Sequence, residues 1–154
     1  MDRLSYQIEQ YAKRHAWVAV EKTYVQELAI GLPLPARDHA LGAQAARQRG
    51  DINLVFERLK AALAVEENPE LFEQFWGILQ TYGRVQLRGR VLAASERPFD
   101  PVMARSLEVA AIALRDHGVY EGLLPFGHYA LDEVPFQVML GRPAVELTSP
   151  TATH

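Results

Sequence analysis

Over most of the first 118 positions apolar residues recur at intervals of three, four and seven; beyond them the pattern changes to alternation. Leu4, Ile8, Tyr11, Val18 and Val25 fall at helical spacings, and Trp17, Val20, Tyr24 and Leu28 widen the face. One long helix or two abutting helices are predicted from Asp2 to Ile30. Gly31, Pro33 and Pro35 then stop the helix and make an extended connector. A second helix opens at Arg37 or Asp38 and runs to Gly50. Asp51 is the expected N-cap of the next, Ile52 to Val65, with Val55, Leu59, Ala62 and Leu63 on its buried side. Asn68, Pro69 and Glu70 punctuate the start of a further helix, which Gly83 is expected to end. Its stripe is Leu71, Phe75, Ile78, Leu79 and Tyr82, with Phe72 and Trp76 alongside.

The segment RVQLRGRVLAAS after Gly83 reads as one short strand or an irregular arginine-rich loop. Asp100, Pro101 and Gly118 bracket the last helix. From Val119 no helical period remains. Phe136, Val138 and Leu140 alternate, while Pro-Phe-Gly, Asp-Glu and Gly-Arg-Pro supply turns. The expected fold is mainly α, antiparallel and repeat-like helical hairpins with a small C-terminal antiparallel β meander. Residues 1–118 would form a helical domain, 119–148 the meander packed on or appended to it, and 149–154 a flexible tail.

Composition narrows the function classes. The absence of cysteine among 154 residues excludes disulfides, thiol catalysis and thiolate metal sites. A net charge of −3 provides no global field toward nucleic acid or anionic lipid. The N-terminus has no apolar signal core, and no apolar run approaches the roughly 20 residues that span a bilayer. A cytoplasmic protein without membrane insertion is expected.

The stretch Ala36 to Pro69 carries small residues in both predicted helices, a Gly50-Asp51 turn, Leu59, Ala62 and a closing proline. On these residues it resembles a tetratricopeptide repeat, a helix–turn–helix unit of about 34 residues. Ala43 and Ala62 match the family's small positions and Leu59 a large one. Gly42 and Ala46 stand where a leucine and an aromatic are usual, Val55 replaces an alanine, and Pro69 comes two residues late. The resemblance implies a groove that receives a partner peptide or helix, with His39, Gln44 and Arg47 on its inner face. A fainter echo lies in LPFGHYALDEVPFQVML, which is similar to the hairpin of small bacterial PEGA-type β-modules, accessory binding or spacer units.

Chemical candidates are sparse. The histidines show no paired metal-ligand spacing, and no nucleophile elbow, phosphate loop or dinucleotide fingerprint occurs. His128 and Tyr129, near Asp132 and Glu133, could line a pocket that Glu21 or Glu27 would complete. Arg84, Arg88 and Arg90 could contact phosphates. Phe72, Phe75, Trp76 and Tyr82 are too many aromatics for a thin stripe, so part of that helix, Phe72 and Trp76 foremost, is expected to face a partner or a second copy. The leading expectation is a non-catalytic adaptor or assembly component that binds another protein or peptide, with no cofactor and no metal. An enzyme or ligand-binding protein with a pocket at His128 and Tyr129 comes second, and an arginine-patch nucleic-acid binder third.

Overall fold

The structure is a computed structural model that describes residues 3–141 and 143–150. Among these, six helices and six strands make a mainly α protein with a smaller β part. They fall into two compact units, Met1–Gly77 and Ile78–His154.

In the first unit, α1 (Arg3–Lys13) and α2 (Trp17–Ile30) are two helices rather than one. Arg14 and His15 donate their N–H groups to Tyr11 O and Ala12 O at 3.1 and 3.0 Å, and Ala16 donates back to Tyr11 O at 2.9 Å. This closes a reversal that holds His15 at φ 55°. Ile8, Val20, Tyr24 and Ala45 form a core group. α3 (Ala36–Gln48) follows Pro35, whose extended backbone pre-sets the helix start. α3 approaches α2 closely at Gly42, where a Cβ would lie 2.8–2.9 Å from the Tyr24 ring. The glycine that departs from the repeat pattern therefore makes room for an aromatic ring.

Gly50 turns the chain at φ 72°, a left-handed conformation that glycine adopts without steric cost. Asp51 caps α4 (Ile52–Val65), its carboxylate accepting from Leu54 N at 3.2 Å. Ala43, Ala45 and Ala46 of α3 and Val55, Phe56, Leu59 and Ala62 of α4 are buried. α3 and α4 make the most extensive contact of any helix pair. α5 (Pro69–Leu79) starts under Asn68, whose Oδ1 accepts from Glu70 N and Leu71 N at 3.0 and 3.2 Å. It ends at Leu79, earlier than the glycine signal implied.

The second unit opens with β1 (Tyr82–Arg88), so Gly83 is a strand residue and not a helix stop. A Cβ there would lie 2.5 Å from the Val138 side chain, and glycine is needed for that approach. The arginine-rich segment is β1 followed by β2 (Leu92–Ala94). Asp100 caps α6 (Pro101–His117) by accepting from Val102 N and Met103 N at 2.8 and 3.2 Å. β3 (Val119–Pro125), β4 (Gly127–Leu131), β5 (Val134–Val138) and β6 (Val145–Thr148) complete the unit.

The strands form two three-stranded sheets, ordered β3-β1-β6 and β2-β4-β5. β1 runs antiparallel to β3 and parallel to β6, while the second sheet is antiparallel throughout. The β part is thus not one consecutive meander. β3 pairs with β1 rather than with β4, and strands from before and after α6 share both sheets. The β4–β5 turn uses Asp132 and Glu133 at φ 47° and 71°, the paired left-handed geometry of a type I′ hairpin. Val85, Leu87, Tyr120 and Leu124 of one sheet share a core with Tyr129, Leu131 and Val138 of the other and with Ala110 and Leu114 of α6. This shared core places α6 with the strands, so the boundary between units falls at 77/78 and not at 118/119. Ser149 is fully buried and donates its N–H to Arg88 O at 2.8 Å, so the chain is still held there. Residues 151–154 of the tail expected at 149–154, and Arg142 of the predicted turn, lie outside the described residues.

Candidate interaction surfaces

α5 carries a broad apolar arc in the first unit. At 100° per residue Leu71, Phe72, Phe75 and Trp76 cover about 140° of the helix circumference. Only one edge of that arc is satisfied within the unit: Phe75 stacks on Phe56 of α4, centroids 4.9 Å apart and planes 19° apart. On the other edge Phe72 and Trp76 stack on each other at 6.3 Å and 12°. They remain 54% and 51% exposed. Glu70 and Glu73 on α5, and Glu66 and Glu67 just before it, are exposed.

The three α3 candidates divide. Gln44 and Arg47 are exposed, and Arg47 Nη2 donates to Gln74 Oε1 of α5 at 3.5 Å. His39 is instead partly buried and turned to α2: Tyr24 Oη and His39 Nδ1 are 2.7 Å apart. Burial lowers the His39 pKa against the opposing field of Asp38, so the ring is neutral near pH 7. Burial likewise pushes the Tyr24 hydroxyl up to about 12.

Around this pair lies a polar network that periodicity did not reveal. Arg58 is buried, stacks over Tyr24 at 4.7 Å and donates to Gly42 O at 3.0 Å. It forms a two-pronged ion pair with Glu21, Nη2 to Oε1 at 2.9 Å and Nη1 to Oε2. Arg49 adds a bond to Glu21 at 3.1 Å. The Arg58 hydrogen bond leads the causes that hold the Glu21 carboxyl below its usual range. Near the N-terminal end of α3, Asp38 is fully buried and accepts from Ser5 Oγ at 3.1 Å, while Arg37 bonds Ser5 Oγ and Glu9 at 2.7 and 2.9 Å. Glu21 is therefore engaged inside the helical unit. The sequence signal for this network was a buried-face Arg58 in an otherwise apolar stripe.

In the second unit His128 is exposed and Tyr129 buried on alternate faces of β4. The Tyr129 hydroxyl donates to Pro125 O at 2.6 Å, and burial raises its pKa, so it holds the strand bend together. Both residues line a cleft of about 350 Å³ with Ser95, Arg97, Phe99 and Phe126. His128 Nε2 lies 3.4 Å from Gln137 Nε2. Arg84 and Arg88 share the exposed face of β1, but Arg90 leaves it and donates to Arg115 O at 3.1 Å. Glu121, bonded to Gln86 at 3.2 Å, and Glu146 flank the two arginines across the sheet. The cross-strand acids dilute a patch that looked purely basic along the chain. Among the described residues no cluster of three or more His, Asp or Glu could hold a metal ion. No described helix is long and apolar enough to cross a membrane. No family model, curated protein or solved structure matches this chain.

Proposed function

We propose that this protein is a non-catalytic adaptor or assembly component that binds another protein through α5 and the neighbouring exposed edge of α3. The observation that carries the reading is the stacked Phe72–Trp76 pair, half exposed on an arc whose opposite edge is packed. Large aromatic anchors of this kind dominate interface energetics, and an apolar helix edge is a costly thing to leave in water. The exposed acids on and just before α5 point to an amphipathic partner segment whose apolar residues are bordered by Lys or Arg. The close α3–α4 hairpin, with Ala43 and Ala62 buried and Gly50-Asp51 at its turn, supports a repeat-like helical scaffold. Engagement of the Tyr129 hydroxyl by Pro125 O argues against acid–base chemistry at that residue.

Affinity capture from a native cell extract, comparing wild type with the Phe72→Ser/Trp76→Ser double variant, tests the reading. A stoichiometric protein retained by wild type and lost from the variant is expected. An identical set of captured proteins for both would overturn it. Concentration-dependent sedimentation abolished by the same variant would identify the occupant as a second copy.

A further inference from the structure

The short strand β2 is an open edge beside α6, and its hydrogen-bonding geometry is resolved by its partner. Asp132 N donates to Val91 O at 2.8 Å and Ser95 N to His128 O at 2.9 Å. In an antiparallel ladder hydrogen-bonded pairs alternate with non-bonded ones, so Val91, Ala93 and Ser95 face β4 with their backbone polar groups. The alternation therefore turns the N–H and C=O groups of Leu92 and Ala94 away from β4. β2 is also terminal in the strand order β2-β4-β5.

That edge opens on a groove. A cleft of about 320 Å³ lies between Leu92 and Ala94 on one side and Ala104, Leu107, Glu108 and Ala111 of α6 on the other. Ala94, Ala104 and Ala111 contribute small side chains to its walls. Arg97 stands at the end of the groove beyond β2, exposed and with no ion pair or hydrogen bond among the described residues. Glu108, the acid on the opposite wall, pairs with Arg105 at 3.6 Å.

We propose that this groove binds an extended peptide by strand addition: the peptide backbone pairs with Leu92 and Ala94, small apolar side chains enter at alternate positions against α6, and a carboxylate reaches Arg97. Outward-turned main-chain donors and acceptors in register call for another backbone, which a lipid or a compact organic ligand does not supply. The lone guanidinium sets the sign of the charge at the end of the peptide. This site is in the second unit and stands independently of the α5 reading.

A phage-displayed library of random decapeptides with free C-termini, selected on the full chain, supplies the probe. Enriched sequences are expected to alternate small apolar residues with a carboxylate at one end. Synthetic copies in free and amidated form separate a C-terminal carboxylate from an acidic side chain. Ala94→Pro removes one outward N–H without touching the bonds to β4, and should weaken binding by about tenfold. Arg97→Glu, a surface change that leaves the fold intact, should weaken it by about tenfold or more. Phe72→Ser/Trp76→Ser should leave peptide affinity unchanged, which separates the two sites. No enrichment, or peptides indifferent to Ala94→Pro and Arg97→Glu, would overturn the proposal. Sensitivity to Arg97→Glu alone would reduce it to ionic attraction and overturn strand addition.

Discussion

In the helical unit Arg58 and Asp38 are buried beside Tyr24, His39 and Glu21, whereas the core of the α/β unit is assembled from Val85, Leu87, Leu114, Leu124, Leu131 and Val138. The hydroxyls within that core cluster belong to Tyr120 and Tyr129, and Ser106 is buried on α6, where it donates to Met103 O at 2.7 Å. Tyr120 donates to Leu123 O at 2.8 Å and Tyr129 to Pro125 O at 2.6 Å, each within its own stretch of chain. The first unit instead has ion pairs that join different helices: Arg58 on α4 to Glu21 on α2, and Arg37 on α3 to Glu9 on α1. The difference teaches that one unit is specified largely by shape and the other by shape together with charge. Their responses to mutation and pH should diverge accordingly.

The largest effect is expected in the apolar core. Leu114→Ala empties a fully buried site and should cost about 3 kcal/mol, read as a shift in the chemical-denaturation midpoint. That cost should change little between pH 5 and pH 7, in terms of the shared core, because no titratable group of the network is involved.

Arg58→Ala should destabilise the helical unit by a similar or slightly smaller amount, about 3 kcal/mol, because it strands a partly buried Glu21 and removes the cation from the Tyr24 face. Trp17 and Trp76 both lie in that unit, so tryptophan fluorescence follows its unfolding selectively. Gly42→Ala should cost about 2 kcal/mol by pressing a methyl group into the Tyr24 ring. Equal stability of the alanine variant would show that α2 and α3 can move apart freely.

The pH response follows from the signs of the shifts. His39 has a lowered pKa when folded, so below its ordinary 6.5 the unfolded chain binds the proton more readily. Stability of the helical unit should fall as pH drops from about 6.5 toward the lowered value. Glu21 is also depressed, so its contribution is present above its ordinary 4.5 and is lost as pH falls further. His39→Gln should flatten the upper part of the slope and leave the Glu21 part. A slope unchanged in His39→Gln would remove the phenol–imidazole contact from the account.

Phe72→Ser/Trp76→Ser should have the smallest effect on stability, within about 0.5 kcal/mol, because both side chains are half exposed. Thermal melts followed by circular dichroism check this, and a loss of several kcal/mol would reassign the pair to the core.

What the sequence disclosed was local. The caps Asp51, Asn68 and Asp100 sit within three residues of the N–H groups they accept from, and each marked a real helix start. β1 was obscured because its partner β3 lies beyond α6, and Gly83 gives the same signal at a helix end as at a close strand crossing. Arg84, Arg88 and Arg90 formed a run along the chain, yet the acids that moderate them, Glu121 and Glu146, arrive from other strands. His39 read as a groove residue because its partner Tyr24 is 15 positions away on another helix. Gln44, Arg47, Phe72 and Trp76 were legible as exposed candidates because helical periodicity alone decides which side of a helix they occupy.

The central claim is that Phe72 and Trp76 form a docking surface. Its most direct test uses Trp17→Phe, which leaves Trp76 as the sole tryptophan, titrated with the captured partner while acrylamide quenching is recorded. The account predicts a blue-shifted emission and protection of Trp76 from quenching as the partner covers it. Binding that leaves both the emission and the quenching unchanged would contradict it.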